Sequence, residues 1–506
     1  MTKTSTALLD RLALAFLVVF VAALPHSIAA AQVAAGLAAL FWLAGLVTRR
    51  QWPGLGGLGL PLALFVGVTV LSAALSLEPA VSLDKLRSTA LILIVLVVAG
   101  TLKNLRYVTL VVAVLLVSAA ATAANTVWGV VAGRGVEVVS LPPESPLAQA
   151  GVLERDVIVL CGQNLTDSPR ALSAALSVHI APVPLKCIAY RTGAFRYEFE
   201  LPADSLPGAL DAVGLRTART IRARGTFSHF TTYAEVLLQL AALALGLWLA
   251  CPKRWTSRAG VALIVLGLLL GVALAATFTR ASWAALLVAA LAMLWHRVGW
   301  KARIATGLLA LVLLLAMNQA LVAWRGVGFY NPDDLSMQYR RLMWSDGVRV
   351  IAEHPLLGIG MDSVLVRWQE LGVRAYASMN LHSHFHSTPI QLAVERGLLG
   401  LAAWVFFMFV YLRLLFRLIH RTREPASGPT AWPRIQAPRG AEIEALPQRS
   451  AWVRGLALGI LGATIGFLAS GFLHYNLGDS EVAMLFWLLM GMAAALDRHT
   501  REQITA

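Results

Sequence analysis

The sequence predicts an all-α polytopic membrane protein that carries one small α+β insert. Three observations predict it. Of the 506 residues, 58% are hydrophobic and only 14% charged, with a mean hydropathy of +0.70, whereas a soluble chain carries about 25% charged residues. Apolar stretches of the roughly 17–25 residues that a helical span needs recur along almost the whole length. One segment, at about 135–203, breaks this pattern and alternates as strands do. The net charge of +15 comes with no nucleic-acid-binding module, so no nucleic-acid partner is expected.

The periodicity predicts about 12 transmembrane helices, at 9–25, 27–48, 57–77, 88–103, 108–131, 232–250, 259–277, 282–297, 303–323, 398–418, 452–472 and 480–497. The first apolar run continues into the second with no clear small-residue cleavage site, so it is read as a retained helix. Arg49-Arg50, Lys103 with Arg106, Lys253-Arg254 with Arg258, Arg297 with Lys301 and Arg303, Arg417 with Arg421 and Arg423, and Arg498 with Arg501 fall in short loops on one side. The positive-inside rule makes that side cytoplasmic and places both termini there. The resulting order is N-terminal helices 1–133, an insert 134–205, helices 206–323, an extracytoplasmic loop 324–397 and helices 398–506. Residues 419–450, rich in Pro, Ala and Arg, read as a flexible cytoplasmic linker. Weak amphipathic patterning in the long loop predicts short helices at 337–353 and 362–377.

The insert reads as strand, short helix, strand, helix and two further strands. Its run Ser145-Pro146-Leu147-Ala148-Gln149-Ala150-Gly151-Val152-Leu153-Glu154-Arg155-Asp156-Val157-Ile158 matches the pattern SPAxxAGLxxGDVI. Over about 70 residues it resembles a PDZ domain of the bacterial periplasmic type, with Arg155 where glycine is usual, a departure expected to alter that turn. PDZ domains add an extended peptide to a sheet edge, which implies a protein partner; a spacer or a docking surface without a peptide groove is the alternative. Cys161 and Cys187 both fall on predicted strands. Two buried free thiols are the preferred reading over a disulfide, because strand pairing is not fixed by sequence. No Cys-x-x-Cys or zinc spacing exists among the three cysteines.

Four extracytoplasmic pieces carry chemistry. Arg222-Ala223-Arg224-Gly225-Thr226-Phe227 precedes one span; Thr277-Phe278-Thr279-Arg280-Ala281-Ser282 forms a corner between two. Tyr339-Arg340-Arg341-Leu342-Met343-Trp344 leads to His354-Pro355-Leu356-Leu357-Gly358-Ile359-Gly360. His382, His384 and His386 run into Gln391, Glu395, Gly397 and Gly400. These arginines oppose the positive-inside bias, so topology does not account for them, and an anionic ligand does. Histidine there suits proton transfer or a metal. Three histidines within five residues converge on one ion only through a sharp bend, and no Asp-x-Asp or His-Glu-x-x-His pattern accompanies them. No metal and no other cofactor is expected.

In this order the pieces resemble the O-antigen ligase and O-antigen polymerase superfamily, with its SRG corner, its RxxxW and HPLLGxG loop and its HNxxxQxxxExGxxG helix entry, over about 222–490. Ser387 stands where Asn is common, and Gly225-Thr226-Phe227 resembles the family's GTF entry to a span. The resemblance implies a multi-helix glycosyltransferase architecture of GT-C type in the bacterial inner membrane, with its site facing the periplasm. The implied donor is a glycan on undecaprenyl diphosphate and the implied acceptor is lipid A–core oligosaccharide, by metal-independent inversion among membrane lipids. On that pattern His386 is the general base, and Arg280 and Arg340, with Arg224 and Arg222 behind them, bind the donor diphosphate. His384, His382, Arg341, Glu395 and Gln391 are supporting residues. A sister polymerase and a protein O-oligosaccharyltransferase share the donor chemistry and stay open. A lipid-anion transporter is disfavoured because no internal repeat is found and the polar residues cluster at one face.

Overall fold

The computed structural model describes residues 3–50, 52–179, 183–191, 195–218, 222–295, 300–325, 328, 335–379, 384–422 and 445–505. The predicted feature at His382 and most of the 419–450 linker lie outside these described residues. The chain divides into two compact units. One comprises Met1–Ala120, Thr231–Leu274 and Thr279–Ala506; the other comprises Ala121–Phe230 with Ala275–Phe278.

The N-terminal helices are α1 (Lys3–Ala23), α2 (Ile28–Arg49), α3 (Gly59–Ala74), α4 (Pro79–Thr89), α5 (Ile94–Thr101) and α6 (Leu105–Ala132). In the insert, β1 (Val136–Ser140), α7 (Pro146–Gln149), β2 (Val157–Cys161), β3 (Asn164–Leu165), α8 (Pro169–Val178), β4 (Leu185–Arg191), β5 (Phe195–Leu201) and β6 (Gly214–Thr217) follow. Then come α9 (Phe230–Ala250), α10 (Arg258–Ala276), α11 (Arg280–Trp295), α12 (Trp300–Arg325), α13 (Leu335–Glu353), α14 (Ser363–Arg367) and α15 (Arg374–Met379). The last three are α16 (Thr388–Arg421), α17 (Ala445–Gly471) and α18 (Ser480–Thr505).

Eight helices among the described residues are long and apolar enough to cross a membrane, where the sequence predicts about 12. They belong to α1, α2, α6, α9, α10, α16, α17 and α18. Three predicted spans appear as the shorter apolar helices Gly59–Ala74, Arg280–Trp295 and Arg303–Gln319. The stretch predicted at 88–103 is interrupted: α4 ends at Thr89, a 3₁₀ turn occupies Ala90–Leu93, and α5 resumes at Ile94. The centre of the helical unit lies at α9, α17 and α18, whose apolar windows are 83, 78 and 89% buried against 28% for α10. Small residues let two of these approach: a Cβ on Gly246 of α9 falls 2.1 Å from the backbone nitrogen of Gly459 on α17, the close packing that replaces hydrophobic drive inside a membrane. Phe467 stacks on Phe486, which meets Trp487 edge-on.

The long loop folds into α13, α14 and α15. The helix predicted at 362–377 is two short helices, because the turn through Gly372 (φ 57°) separates them. They pack with Tyr339, Met343, Val364, Tyr376 and Phe385 in one apolar cluster. α16 is broken at Gly397, whose φ of 66° and ψ of −176° suit only glycine. Residues 355–360 run along the break. Leu398 N–H donates to Pro355 O (2.7 Å), Ile359 N–H to Val394 O (2.9 Å) and Gly360 N–H to Glu395 O (2.9 Å). Ser72 Oγ on α3 lies 2.7 and 2.8 Å from the carbonyls of Leu357 and Glu395.

The insert holds a sheet in the order β5-β4-β2-β1-β6, with β3 paired to β2. The predicted helix and strands appear in sequence order; β6, beyond the expected boundary, adds to the far side of β1. Cys161 and Cys187 face each other across β2 and β4 and form a disulfide, which corrects the preference for free thiols. Arg155 takes a φ of 68°, so the turn keeps the left-handed backbone that glycine usually supplies there. Buried Asp156 holds that turn by accepting from Leu153 N–H (2.8 Å), Arg191 Nη2 (2.9 Å) and Tyr197 OH (2.6 Å).

Two stability predictions follow from these constraints. A Cβ at Gly397 meets the Leu356 carbonyl oxygen at 2.0 Å, whereas one at Gly267 meets nothing within 4 Å. Gly397→Ala is expected to cost about 3 kcal/mol or more and Gly267→Ala to be neutral or slightly stabilising, read by thermal unfolding in detergent; equal melting temperatures would remove the constraint at Gly397. Replacing both Cys161 and Cys187 by Ser is expected to destabilise the insert by about 3 kcal/mol, seen as earlier proteolytic cutting within residues 136–217.

Candidate functional site

Residues 384–387 lead directly into α16. His386 adopts a φ of 49°, and Ser387, extended and buried, is the cap residue, with Pro389 in the first turn, where its missing N–H costs nothing. Buried Phe385 pins the turn to the apolar cluster, and its N–H donates to Gln391 Oε1 at 2.7 Å. The His384 and His386 rings lie 4.5 Å apart between centroids. His386 meets the Tyr339 ring of α13 edge-on at 5.5 Å, and His384 meets Tyr475 at 5.6 Å.

Gln391 and Glu395 stand one helical turn apart on one face. Gln391 Nε2 donates to Glu395 Oε1 at 2.8 Å, and Arg396 Nη1 donates to Glu395 Oε2 at 3.0 Å. Glu395 is 2% exposed. Its contacts run back to the histidine turn through Gln391 and forward to the Asp362 N–H (3.4 Å), so both side chains brace the turn.

The arginines separate into two groups. Arg280 opens α11 and donates to the Gly328 carbonyl. Arg340 is half-buried on α13, next to the Tyr339 that touches His386, and Arg341 beside it is exposed. These belong to the helical unit together with His384 and His386. Arg222 and Arg224 belong to the other unit. There Arg222 forks onto the carbonyls of Thr277 and Phe278, both at 2.8 Å, with its guanidinium 3.4 Å from the Phe230 ring centroid. Arg224 donates to the Tyr190 hydroxyl and lies over that ring.

A second polar cluster escaped sequence reasoning. Glu235 on α9 is 0% exposed. Its Oε1 accepts from His474 Nδ1 (2.9 Å), Ser282 Oγ (3.2 Å) and Ser470 Oγ, and its Oε2 from Asn476 Nδ2 (3.4 Å). Thr388, the first residue of α16, donates its N–H and Oγ1 to His474 O, both at 3.1 Å. A carboxylate inside an apolar span is itself a mark of function and was the signal available in TTYAEVLLQ. Thr232 donates to Asp479 Oδ2 at 2.9 Å.

Comparison with known proteins finds similarity over the same region. Residues 264–405 match the family model described as O-antigen ligase. The chain is 28% identical over 103 residues to the exopolysaccharide production protein ExoQ of Rhizobium meliloti (strain 1021). That match covers 19% of this chain and spans 23% of the relative's length. The resemblance to the O-antigen ligase and polymerase superfamily is thus shown on this stretch, which contains Arg280, Arg340, His384, His386, Gln391 and Glu395.

Burial, aided by the charges of Glu481 and Glu235 and opposed by the Thr232 hydrogen bond, pushes the Asp479 carboxyl from its ordinary 3.8 up to about 7. A raised folded value means that this group's contribution to stability is complete below pH 3.8 and is lost as pH rises through about 7. Asp479→Asn is expected to match wild type in melting temperature at pH 4 and to exceed it at pH 8. A constant difference across that range would assign Asp479 an ordinary acidity.

Proposed function

We propose that this chain is an O-antigen ligase of the bacterial inner membrane, which moves a glycan from undecaprenyl diphosphate to lipid A–core oligosaccharide on the periplasmic face. The observation that carries the proposal is the contact between His386 and Tyr339, which joins the histidine turn to the helix of Arg340 inside the stretch similar to O-antigen ligases. The multi-pass helical unit and the family similarity support a glycosyltransferase acting on lipid-linked glycans. The Cys161–Cys187 disulfide supports an oxidising, extracytoplasmic location for the insert.

In the proposed reaction the acceptor hydroxyl oxygen bonds to the anomeric carbon as the carbon–oxygen bond to the diphosphate breaks, with inversion. His386 takes the hydroxyl proton through a ring nitrogen. Arg280 and Arg340 hold the diphosphate, and their fixed charge offsets the negative charge that grows on it as it leaves. Arg222 and Arg224 are secondary candidates, since they lie outside the stretch similar to O-antigen ligases. His384 and Tyr475 border the proposed base. Gln391 and Glu395 set its turn. The insert is proposed to dock a protein partner at a sheet edge.

A second reading is polymerisation, in which the acceptor is another lipid-linked repeat unit. The similarity to a protein named for exopolysaccharide production favours it.

Purified full-length protein given undecaprenyl diphosphate-linked glycan, lipid A–core and EDTA is expected to transfer glycan to lipid A–core. His386→Ala and Arg280→Ala are each expected to lower the rate about 10²–10⁴-fold. Chain growth on the lipid donor alone would move the assignment to polymerase. Full activity of His386→Ala would remove the proposed base, and activity abolished by EDTA in the wild type would overturn the metal-independent step.

A further inference from the structure

We propose that Glu235 is a positioning residue of the transfer reaction, a buried carboxylate that ties the first turn of α11, behind Arg280, to the turn that seats His386. The inference deepens the glycosyl-transfer reading and rests on it.

Three observations carry it. First, the carboxylate is in the wrong place for a plain packing residue. Glu235 lies in the second turn of an apolar span with none of its surface exposed. A buried charge is costly unless its oxygens are paired and hydrogen-bonded, and well-packed apolar side chains would hold three helices together as firmly. Second, its donors come from separate elements: Ser282 from α11, Ser470 from the end of α17, and His474 and Asn476 from the turn before α18. Three of them converge on Oε1, which uses that oxygen fully. With no exposed surface, Glu235 does not touch substrate, so any role in the reaction passes through what it holds.

Third, what it holds stands next to the proposed chemistry on both sides. Ser282 is two residues beyond Arg280 in the same helical turn. His474 O accepts from Thr388 N–H, and the single Thr388 hydroxyl proton is shared between His474 O (3.1 Å) and Asn476 Oδ1 (2.9 Å); Thr388 is two residues beyond His386. One carboxylate thereby fixes the separation between a donor-side arginine and an acceptor-side histidine. In-line displacement is sensitive to that separation, since misplacement by about 1 Å costs on the order of 10²-fold in rate.

The test uses full-length protein in detergent with the same lipid-linked donor and acceptor, and separates the two arms of the clamp. Ser282→Ala, which loosens the Arg280 side, is expected to raise the KM for the donor several-fold and to lower kcat as well, since Arg280 both holds the diphosphate and offsets its leaving charge. Thr388→Val, which loosens the His386 side, is expected to lower kcat about tenfold or more and leave the donor KM unchanged. Glu235→Gln, with the size kept and the charge removed, is expected to show both effects with a melting temperature near that of wild type. A group that only stabilises the bundle would lower the melting temperature and the active fraction, so that apparent kcat falls while the donor KM of Ser282→Ala and Glu235→Gln stays at the wild-type value; that result overturns the proposal. So do wild-type kinetics in Glu235→Gln. If Glu235→Gln does not fold, the two single-arm variants decide the matter by the same readout. Wild-type protein inactive on every acceptor overturns the glycosyl-transfer reading itself, and this proposal with it, and is told apart by the wild-type control.

Discussion

The break of α16 at Gly397 is the constraint on which the helical unit turns. Inside a membrane every backbone polar group needs a partner within the protein, and a broken helix releases several. Here the loop 355–360 supplies them: the carbonyls of Val394 and Glu395 accept from Ile359 and Gly360, and the N–H groups of Leu398 and Leu399 return to Pro355 and Leu356. The two strips of backbone come close enough that neither has room for a side chain at Gly358 or Gly397. Ser72, Ser82 and Leu77 lock the same strip from the α3–α4 corner, through Leu357, Met361 and Ile359. The HPLLGIG run is therefore the other half of a broken helix. By fixing the start of α16 it fixes the histidine turn.

That arrangement explains what was legible in the sequence. The motifs stand out because each is a backbone device as well as a run of side chains: glycines where two strips of backbone touch, Pro389 in the first turn of a helix, Gln391 and Glu395 one turn apart. Their pairing was not legible, because nothing in HPLLGIG names its partner 35 residues later. The stretch 88–103 had the apolar content of a span, and its 3₁₀ interruption at Ala90–Leu93 left no mark in hydropathy. Arg155 was expected to alter its turn, yet Asp156 and its three donors hold the backbone in the glycine-like form. Tertiary bonds there outweigh a local preference of about 1 kcal/mol. Glu235 belongs to none of the motifs, whose nearest run is Gly225-Thr226-Phe227, and its mark in the sequence is a carboxylate in the span itself.

The arginines show why charge alone does not identify ligand-binding residues. All stood against the positive-inside bias, and the anionic-ligand argument applied to each equally. The structure gives each its own surroundings, Arg280 with the Gly328 carbonyl included. Arg222 satisfies two carbonyls at the 277–278 turn and lies on Phe230, which is the work of a structural fork. Arg367 and Arg374 spend themselves on Glu78, Glu370 and Asp346. Arg280 and Arg340 remain the better candidates by position, one opening a helix whose first turn is clamped to Glu235 and the other beside the ring that meets His386.

A division of labour follows among the polar residues of α16. Thr388, Gln391 and Glu395 recur at intervals of three and four and so share a face. Each makes a bond that ends on backbone or on another side chain of the protein: Thr388 on His474, Gln391 on Phe385 N–H and Glu395, Glu395 on Arg396 and Asp362 N–H. The face is thus committed to holding the turn. His386, in a left-handed conformation at the end of that chain of bonds, is held by its neighbours on both sides. A residue kept in a sparsely populated backbone region costs about 1–3 kcal/mol and persists only where its surroundings overdetermine it. Here Phe385, Thr388 and Gln391 do so within five residues, which is the expected cost of aiming one imidazole from the end of a membrane helix.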